Sequence, residues 1–426
     1  MQKRLPRFLV GLVLFLGLTI VVYNLPPVHE HLVWRVDNFL AQVRYFFKPP
    51  EQAVFQPTQQ AQIDWMVTAT LQALTPTVTP ASTPVPTIAG PTVTPTLTPT
   101  SIPSKVSLNG VRHEYQKWNN CGPANLSMAL SFWGWGGDQR DVAAYTKPNQ
   151  RDKNVMPYEL ADFVNEQTSL RAIVRVGGDL DLLKRLIAGG FPVLIEKGFE
   201  PDDELGWMGH YEVLTGYDDA RQKFTAQDSY IMPDFPVPYD EMTANWRAFN
   251  YAYIVVYPPD REAEVLAILG PQADETANFQ HAVQLASDEI YETTDPRDQF
   301  FAWFNRGTNL VHLQDYASAA AAYDQAFFIY PSIPEKRRPW RMLWYQTGPY
   351  FAYYYTGRYY DVISLATTTI DTTNDPAIEE SFFWRARAKV ALGDINGAIA
   401  DFRESLKWHP DFSPTLEQLQ ALGIQP

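Results

Sequence analysis

A single cysteine, Cys121, occurs among 426 residues. An intramolecular disulfide framework is therefore excluded, as is a zinc site built on several thiolates, and the lone sulfur is left with burial or chemistry. Basic charge is also short. Lys and Arg number 34 against 48 Asp and Glu, a formal charge of −14, so there is no surplus to neutralise phosphates and nucleic acid is not an expected partner. Histidine is scarce at seven, and residues 65–104 carry no charged side chain at all. No glycine-rich phosphate loop occurs and no metal or nucleotide cofactor has a candidate site, so none is expected.

What is present suffices for packed cores: 46% of residues are hydrophobic and 14% aromatic, material for two to four domains of about 150 residues each. The 34 prolines are unevenly spread, with eight of them beside ten threonines in the thirty residues 75–104. Proline has no amide hydrogen and threonine little to bury, so this stretch is expected to be a stalk near polyproline II, reaching roughly 90 Å at about 3.1 Å per residue. Thr/Ser/Pro composition of this kind also accepts sugars outside the membrane.

The N-terminus carries Lys3, Arg4 and Arg7, and residues 8–23 then run sixteen positions without a charge. No A-x-A-like cleavage site follows, so residues 1–27 read as a cytoplasmic tip and uncleaved signal anchor that borrows flanking residues such as Leu25, with the bulk of the chain on the extracytoplasmic side. Leu32, Val36, Phe39, Leu40, Val43 and Phe47 recur at helical spacing, predicting an amphipathic helix over 30–47 within a juxtamembrane region, 28–74. Its apolar face suits a membrane surface and a neighbouring domain equally.

Composition changes at Lys105. Val111, His113 and Tyr115 alternate as in a short strand, and Cys121-Gly122-Pro123-Ala124 opens an apolar helical face of Leu126, Met128, Ala129, Leu130 and Trp133. Pro123 suits a first helical turn. Cys121 is thereby set at a helix N-terminus, where amides and the helix dipole favour thiolate over thiol. A thiolate nucleophile needs a base, and between the stalk and residue 280 only His113 and His210 are offered. His113 reads as a packed or solvated strand residue. His210 lies in Gly209-His210-Tyr211-Glu212-Val213-Leu214-Thr215-Gly216-Tyr217, followed by Asp218-Asp219, which predicts a hairpin whose return strand, 223–228, ends in Asp228. A carboxylate beside His210 would hold its tautomer. Gln116, five residues before Cys121, is placed to donate to an oxyanion together with the Cys121 amide. Further elements are expected as helices at 157–167 and 179–188 and strands at 172–176, 192–196 and 252–257.

The run Gln116-Lys117-Trp118-Asn119-Asn120-Cys121-Gly122-Pro123-Ala124, the Gly209-His210 strand with its Gly216-Tyr217-Asp218 turn, and Asp228 together resemble the bacteriocin-processing, double-glycine-peptidase-like branch of the papain-like cysteine peptidases, over about 105–260. The resemblance implies an α+β fold, a helix bearing the nucleophile packed on an antiparallel sheet, with Cys121 as nucleophile, His210 as base, Asp228 as orienting acid and Gln116 as oxyanion donor. The chain departs from the pattern in two places: the spacing from Gln116 to Cys121 is five where six is commoner, and Ser229 follows Asp228 where proline is frequent. Transfer of the acyl group to an amine in place of water would use the same residues.

After Pro258 the texture is helical. Trp303, Gly307, Ala319, Tyr323, Ala326 and Pro331 fall at positions 4, 8, 20, 24, 27 and 32 of the 34-residue tetratricopeptide pattern, and Phe382, Ala386, Ala398, Phe402, Ser405 and Pro410 repeat that spacing 79 residues later. Residues 271–426 thus resemble an all-α tetratricopeptide-repeat solenoid, with a flanking helix at 276–293, which implies a concave face for a protein partner. Of its aromatic cluster, about half is expected in the core. The expected whole is an extracytoplasmic, membrane-anchored cysteine peptidase acting on a peptide or protein substrate; the alternative is a catalytically silent peptide-binding or scaffolding protein displayed on the cell surface.

Overall fold

The computed structural model describes residues 7–23, 25, 43, 55–58, 102–201, 205–373 and 375–426. The amphipathic helix expected at 30–47 and nearly all of the stalk expected at 75–104 lie outside the described residues, Val43 apart. Near the N-terminus, helix α1 (Arg7–Tyr23) has 17 residues and rises about 26 Å at about 1.5 Å per residue, against a hydrocarbon core of about 30 Å. Among the described residues no helix is long and apolar enough to cross a membrane.

The strands of the middle region are apolar at both alternating sets of positions, and such strands need cover on both faces. They are β1 (Lys105–Ser107), β2 (Arg171–Arg175), β3 (Val193–Phe199), β4 (Met208–Asp218), β5 (Lys223–Gln227), β6 (Phe235–Pro238) and β7 (Tyr253–Tyr257). Every pairing is antiparallel, in the order β2-β7-β3-β4-β5-β6, with β1 on β4. Leu194 pairs with Val213 and with Ile254, and this row takes the buried side chains of α2 (Cys121–Phe132) and α4 (Pro157–Gln167): Leu126, Met128, Leu130, Leu160 and Val164. The opposite row, Val193, Ile195, Leu214 and Val255, takes Leu182, Leu183, Leu186 and Ile187 of α5 (Leu180–Ala188). Asp179 caps α5 by accepting the Leu182 N–H at 2.6 Å. Between α2 and α4 lies α3 (Gln139–Thr146), and α6 (Tyr239–Trp246) precedes β7. This mixed α+β domain has the expected antiparallel sheet and the expected helix beginning at Cys121.

One expected strand is corrected. Residues 111–115 pair with no strand among the described residues; the Arg112 N–H instead donates to Ser131 Oγ at 2.9 Å, and His113 Nε2 lies 3.0 Å from the Asp228 carbonyl oxygen.

The C-terminal region is helical: α7 (Glu262–Leu269), α8 (Glu275–Glu292), α9 (Pro296–His312), α10 (Tyr316–Ile329), α11 (Met342–Tyr345), α12 (Gly348–Tyr355), α13 (Tyr359–Asp371), α14 (Glu379–Ala391), α15 (Ile395–Trp408) and α16 (Ser413–Ala421). Asp315 caps α10 through the Ser318 N–H, and Asp394 caps α15 through the Gly397 N–H. Gly307 permits the close approach of α9 and α10, since a Cβ there would stand 2.8 Å from the Tyr323 ring. Ala319, Tyr323, Ala326, Ala386, Ala398 and Phe402 are all fully buried.

The two regions share one core. Trp207, Ala248 and Phe249 of the first cluster with Phe301, Phe304 and Leu343 of the second, and Trp207 stacks on Phe249 with centroids 5.7 Å apart. Asn250 and Asn309 exchange side-chain amide hydrogen bonds of 2.6 and 3.0 Å. Arg341, buried, donates to the carbonyls of Leu205 and Trp207 at 2.7 and 2.6 Å.

Candidate active site

The turn into α2 passes through Asn119 in the left-handed region, φ 50°, which asparagine tolerates. Asn120 precedes the helix, yet its side chain does not cap it; its Nδ2 donates to Gln139 Oε1 at 2.8 Å. The first amides are therefore left for the sulfur. Cys121 is half-buried, and its thiol feels the imidazole of His210 and the backbone N–H groups of Gly122 and Tyr211.

His210, on β4 opposite Lys197 of β3, is 2% exposed. Its ring stacks on Phe199, centroids 4.8 Å apart and planes at 29°, with the Tyr230 ring edge-on at 6.4 Å. Nε2 lies 3.1 Å from Asp228 Oδ1, which leaves Nδ1 as the nitrogen for the thiol. Asp228 follows the end of β5 and is fully buried. Its Oδ1 also accepts the N–H groups of Tyr230 and Ile231 at 2.7 and 2.9 Å, an Asx turn that fixes the carboxylate.

Burial pushes the Cys121 thiol up, but the hydrogen bond and charge of His210, with the two backbone donors, outweigh it, and the net direction is down. Burial acts downward on His210, and the charge and hydrogen bond of Asp228 together with Cys121 reverse this, raising the imidazole to about 9. Asp228 is raised by burial and pulled down further by His210, Lys197 and the Ile231 amide, to about 2. A lowered thiol beside a raised imidazole favours thiolate and imidazolium at neutral pH.

Gln116 reaches the same place from the other side. Its backbone N–H donates to the Ser229 carbonyl at 2.9 Å, and its Oε1 accepts the Ser229 hydroxyl at 2.9 Å. Asn125 Nδ2 donates to Ser229 Oγ at 2.8 Å and to the Tyr211 carbonyl at 2.7 Å. Ser229, where the family pattern often has proline, is thus the residue that turns the Gln116 amide, and Nε2 of Gln116 has no protein partner among the described residues. Cys121, His210 and Asp228, distant in sequence, are brought together at the start of α2, and Gln116 is joined to Ser229, the residue after Asp228. His113 meets the Asp228 backbone and not its carboxylate: its ring Nε2 lies 3.0 Å from the Asp228 carbonyl oxygen.

Several neighbours were missed in the sequence. Glu196 on β3 is 5% exposed; burial and the nearby Cys121 charge raise its carboxyl well above the usual range, against a hydrogen bond from Tyr211. Lys197 and Glu212 form a buried ion pair of 2.7 Å, and Lys197 adds positive charge near Asp228. Charged residues inside an apolar strand, as in Pro192 to Lys197, are the signal that could have found them. Tyr345 had no local signal. It comes from α11, packs on Trp207 and Phe249 at 6.0 and 5.6 Å, bonds the Gly209 backbone, and feels the charges of Cys121 and Glu196, its phenol being raised chiefly by burial. A Cβ on Gly209 would stand 2.7 Å from Phe249 and 2.9 Å from Tyr345, so glycine beside His210 is what lets the helical region reach the site.

Residues 108–254 match the Peptidase_C39 like family. The match covers strands β2 to β6, α2 and the positions of Gln116, Cys121, His210 and Asp228, and it supports a cysteine peptidase function, a hydrolase acting on peptide bonds, for this domain. No curated protein matches the chain. Among solved structures, a C39-like peptidase from Bacillus anthracis is 19% identical, covering 36% of this chain and 96% of its own, with a TM-score of 0.30. A double glycine motif protease from an AMS/PCAT transporter, in complex with the leader peptide, is 18% identical, covering 36% and 94%, with a TM-score of 0.28.

Proposed function

We propose that residues 105–260 hydrolyse peptide bonds with Cys121 as nucleophile, His210 as general base and acid, Asp228 as the orienting carboxylate and Gln116 as oxyanion donor. The observation that carries this reading is the chain of contacts from the Cys121 thiol through His210 to Asp228 Oδ1, with the thiol lowered and the imidazole raised to about 9. The thiolate adds to the peptide carbonyl. The developing O⁻ takes hydrogen bonds from the Cys121 N–H, which has no intrahelical acceptor in the first turn, and from Gln116 Nε2. Imidazolium His210 gives its proton to the leaving amine, and a thioester remains on Cys121. Water, deprotonated by His210, then cleaves the thioester, releasing the carboxylic acid and restoring the pair. Burial and the nearby Cys121 raise the Glu196 carboxyl, which disfavours a second negative charge beside the thiolate.

The helical region, which we assign as tetratricopeptide-like over about 300–413 on the buried Gly, Ala and aromatic positions of its helix pairs, supports the Gly209-His210 strand through Tyr345 and serves as the surface for a protein partner. Attachment to the membrane through α1 and its flanks, with the bulk outside, belongs to the same proposal, and protease shaving of intact cells tests it. The decisive experiment is a peptide-library digestion by the purified chain beside Cys121→Ala. Cleavage products with the first and none with the second are expected; products from both, or from neither, would sink the assignment.

Ser229 offers a finer check on the oxyanion donor. Gln116→Ala is expected to lower kcat about 100-fold with little change in KM, as for loss of one oxyanion donor. Ser229→Ala, which leaves the amide present but unoriented, is expected to cost about 5- to 10-fold. Equal kcat in Gln116→Ala and the parent enzyme would remove Gln116 from the mechanism.

A further inference from the structure

Far from Cys121, a segment from before the stalk is seated in the helical region. Residues 55–58, Phe-Gln-Pro-Thr, alternate in burial: Phe55 and Pro57 are buried, Gln56 and Thr58 exposed, the period of an extended peptide lying on a surface. Phe55 is only 5% exposed. Its ring meets Phe327 edge-on at 5.0 Å and Tyr353 at 6.0 Å, in a pocket that Phe300, Leu343 and Leu365 also line. Three residues on, Thr58 donates its N–H to Asp361 Oδ1 at 3.1 Å, with its hydroxyl 3.5 Å from Oδ2.

The receiving groups are held in place by the fold. Arg358 donates to Asp361 Oδ2 at 2.7 Å and to both oxygens of Asp324 at 2.7 and 2.9 Å, and the Tyr353 hydroxyl donates to Asp324 at 2.9 Å. One guanidinium thus serves two buried carboxyl groups, and Asp361 keeps oxygen lone pairs for further donors. Backbone N–H and hydroxyl donors of an incoming peptide meet those oxygens, while the aromatic pocket takes its anchor. This is the chemistry of short-peptide recognition, one buried aromatic side chain plus main-chain hydrogen bonding.

We propose that the groove between α9, α10, α12 and α13 is a recognition site for an extended peptide carrying an aromatic residue, a proline two positions later and a donor at the third, and that its resident ligand is residues 55–58 of the same chain. A four-residue contact has little affinity by itself. Residues 59–101 join it to the sheet domain at 102, so segment and groove belong to one chain and the contact does not have to bring two molecules together. The segment is therefore replaceable by a peptide of the same pattern. It also ties the helical region to the chain just after α1. None of this depends on the peptidase reading.

The test uses the full chain and a fluorescein-labelled peptide, Ala-Val-Phe-Gln-Pro-Thr-Gln-Gln, copied from residues 53–60. Phe55→Ala empties the pocket, so this variant is expected to bind the labelled peptide at least about 10-fold more tightly than the parent chain, whose own segment competes. A peptide with alanine in place of the phenylalanine is expected to lose at least about 10-fold. Hydrogen exchange of α10 and α13 should rise in Phe55→Ala and fall again on adding peptide. Thr58→Pro, which keeps the anchor and removes the N–H that Asp361 accepts, serves where the first variant folds poorly; its exchange should rise by a smaller factor. Equal binding of the two peptides, or exchange unchanged in both variants, overturns the proposal. A parent chain that sediments as a dimer, and whose exchange protection falls on dilution, overturns the intramolecular occupant.

Discussion

Replacing His210 by alanine is expected to slow alkylation of Cys121 by a neutral electrophile at pH 7 by about 30- to 100-fold and to abolish peptide cleavage. The first effect follows from the thiolate population: without the imidazole, burial is the dominant influence left on the thiol and returns it to or above its ordinary value, where about 3% or less is ionised at pH 7. The second follows because the leaving amine then has no proton donor. The pH profiles separate these roles. His210 is a cation below its raised pKa of about 9 and neutral above it, so cleavage by the parent enzyme should fall as pH rises through about 9. Alkylation should not fall there, since thiolate persists. Asp228→Asn removes the charge that raises the imidazole, and its descending limb should move to lower pH. Equal alkylation rates in the parent chain and His210→Ala would falsify the thiolate pair.

Trp207→Ala is expected to destabilise the whole chain by about 3–5 kcal/mol, the usual cost of deleting a large buried aromatic side chain. Trp207 is fully buried between the sheet domain and the helical region, against Phe249, Phe301 and Tyr345. The carbonyls of Leu205 and Trp207 that receive Arg341 lie in the same seam. Denaturant unfolding followed by far-UV circular dichroism and by Tyr and Trp fluorescence should give coincident transitions for the parent chain, displaced together in the variant. A change below about 1 kcal/mol, or two well-separated transitions in the parent chain, would show that the regions do not share a core. Cleavage should also suffer in Trp207→Ala, because Tyr345 is held over Gly209 by the same contacts.

Helices and strands were legible where side-chain periodicity is strong. The helix at 157–167 has the limits its pattern indicates, and the strands at 171–175, 193–199 and 253–257 lie within three residues of the expected ones. Residues 111–115 also alternate, yet they pair with nothing. Alternation reports which face of an extended segment is buried, and a ladder requires a neighbour that sequence does not name. Glu196, Lys197 and Glu212 stood in view as charges within apolar strands; that they lie beside the His210 site depended on register, in which Lys197 is opposite His210 and Glu196 opposite Tyr211. Tyr345 was read only as one of a cluster of aromatics, since nothing within reach of its own helix points to Cys121.

Local chemistry is what the chain alone determined: a cysteine at a helix start, a histidine on a hairpin strand with an aspartate after its return, glycine and alanine where helices must approach, and a charge-free Thr/Pro tract. Each follows from interactions among residues close in sequence, such as helix dipole, turn preference and side-chain volume. Tertiary structure decided the rest: that Ser229 turns the Gln116 amide, that Phe55 packs on Phe327 and Tyr353 of the helical region, and that Trp207 and Tyr345 join the helices to the sheet beside His210. Those contacts are made between surfaces whose meeting depends on the packing of the entire fold, and short-range sequence pattern holds no record of that.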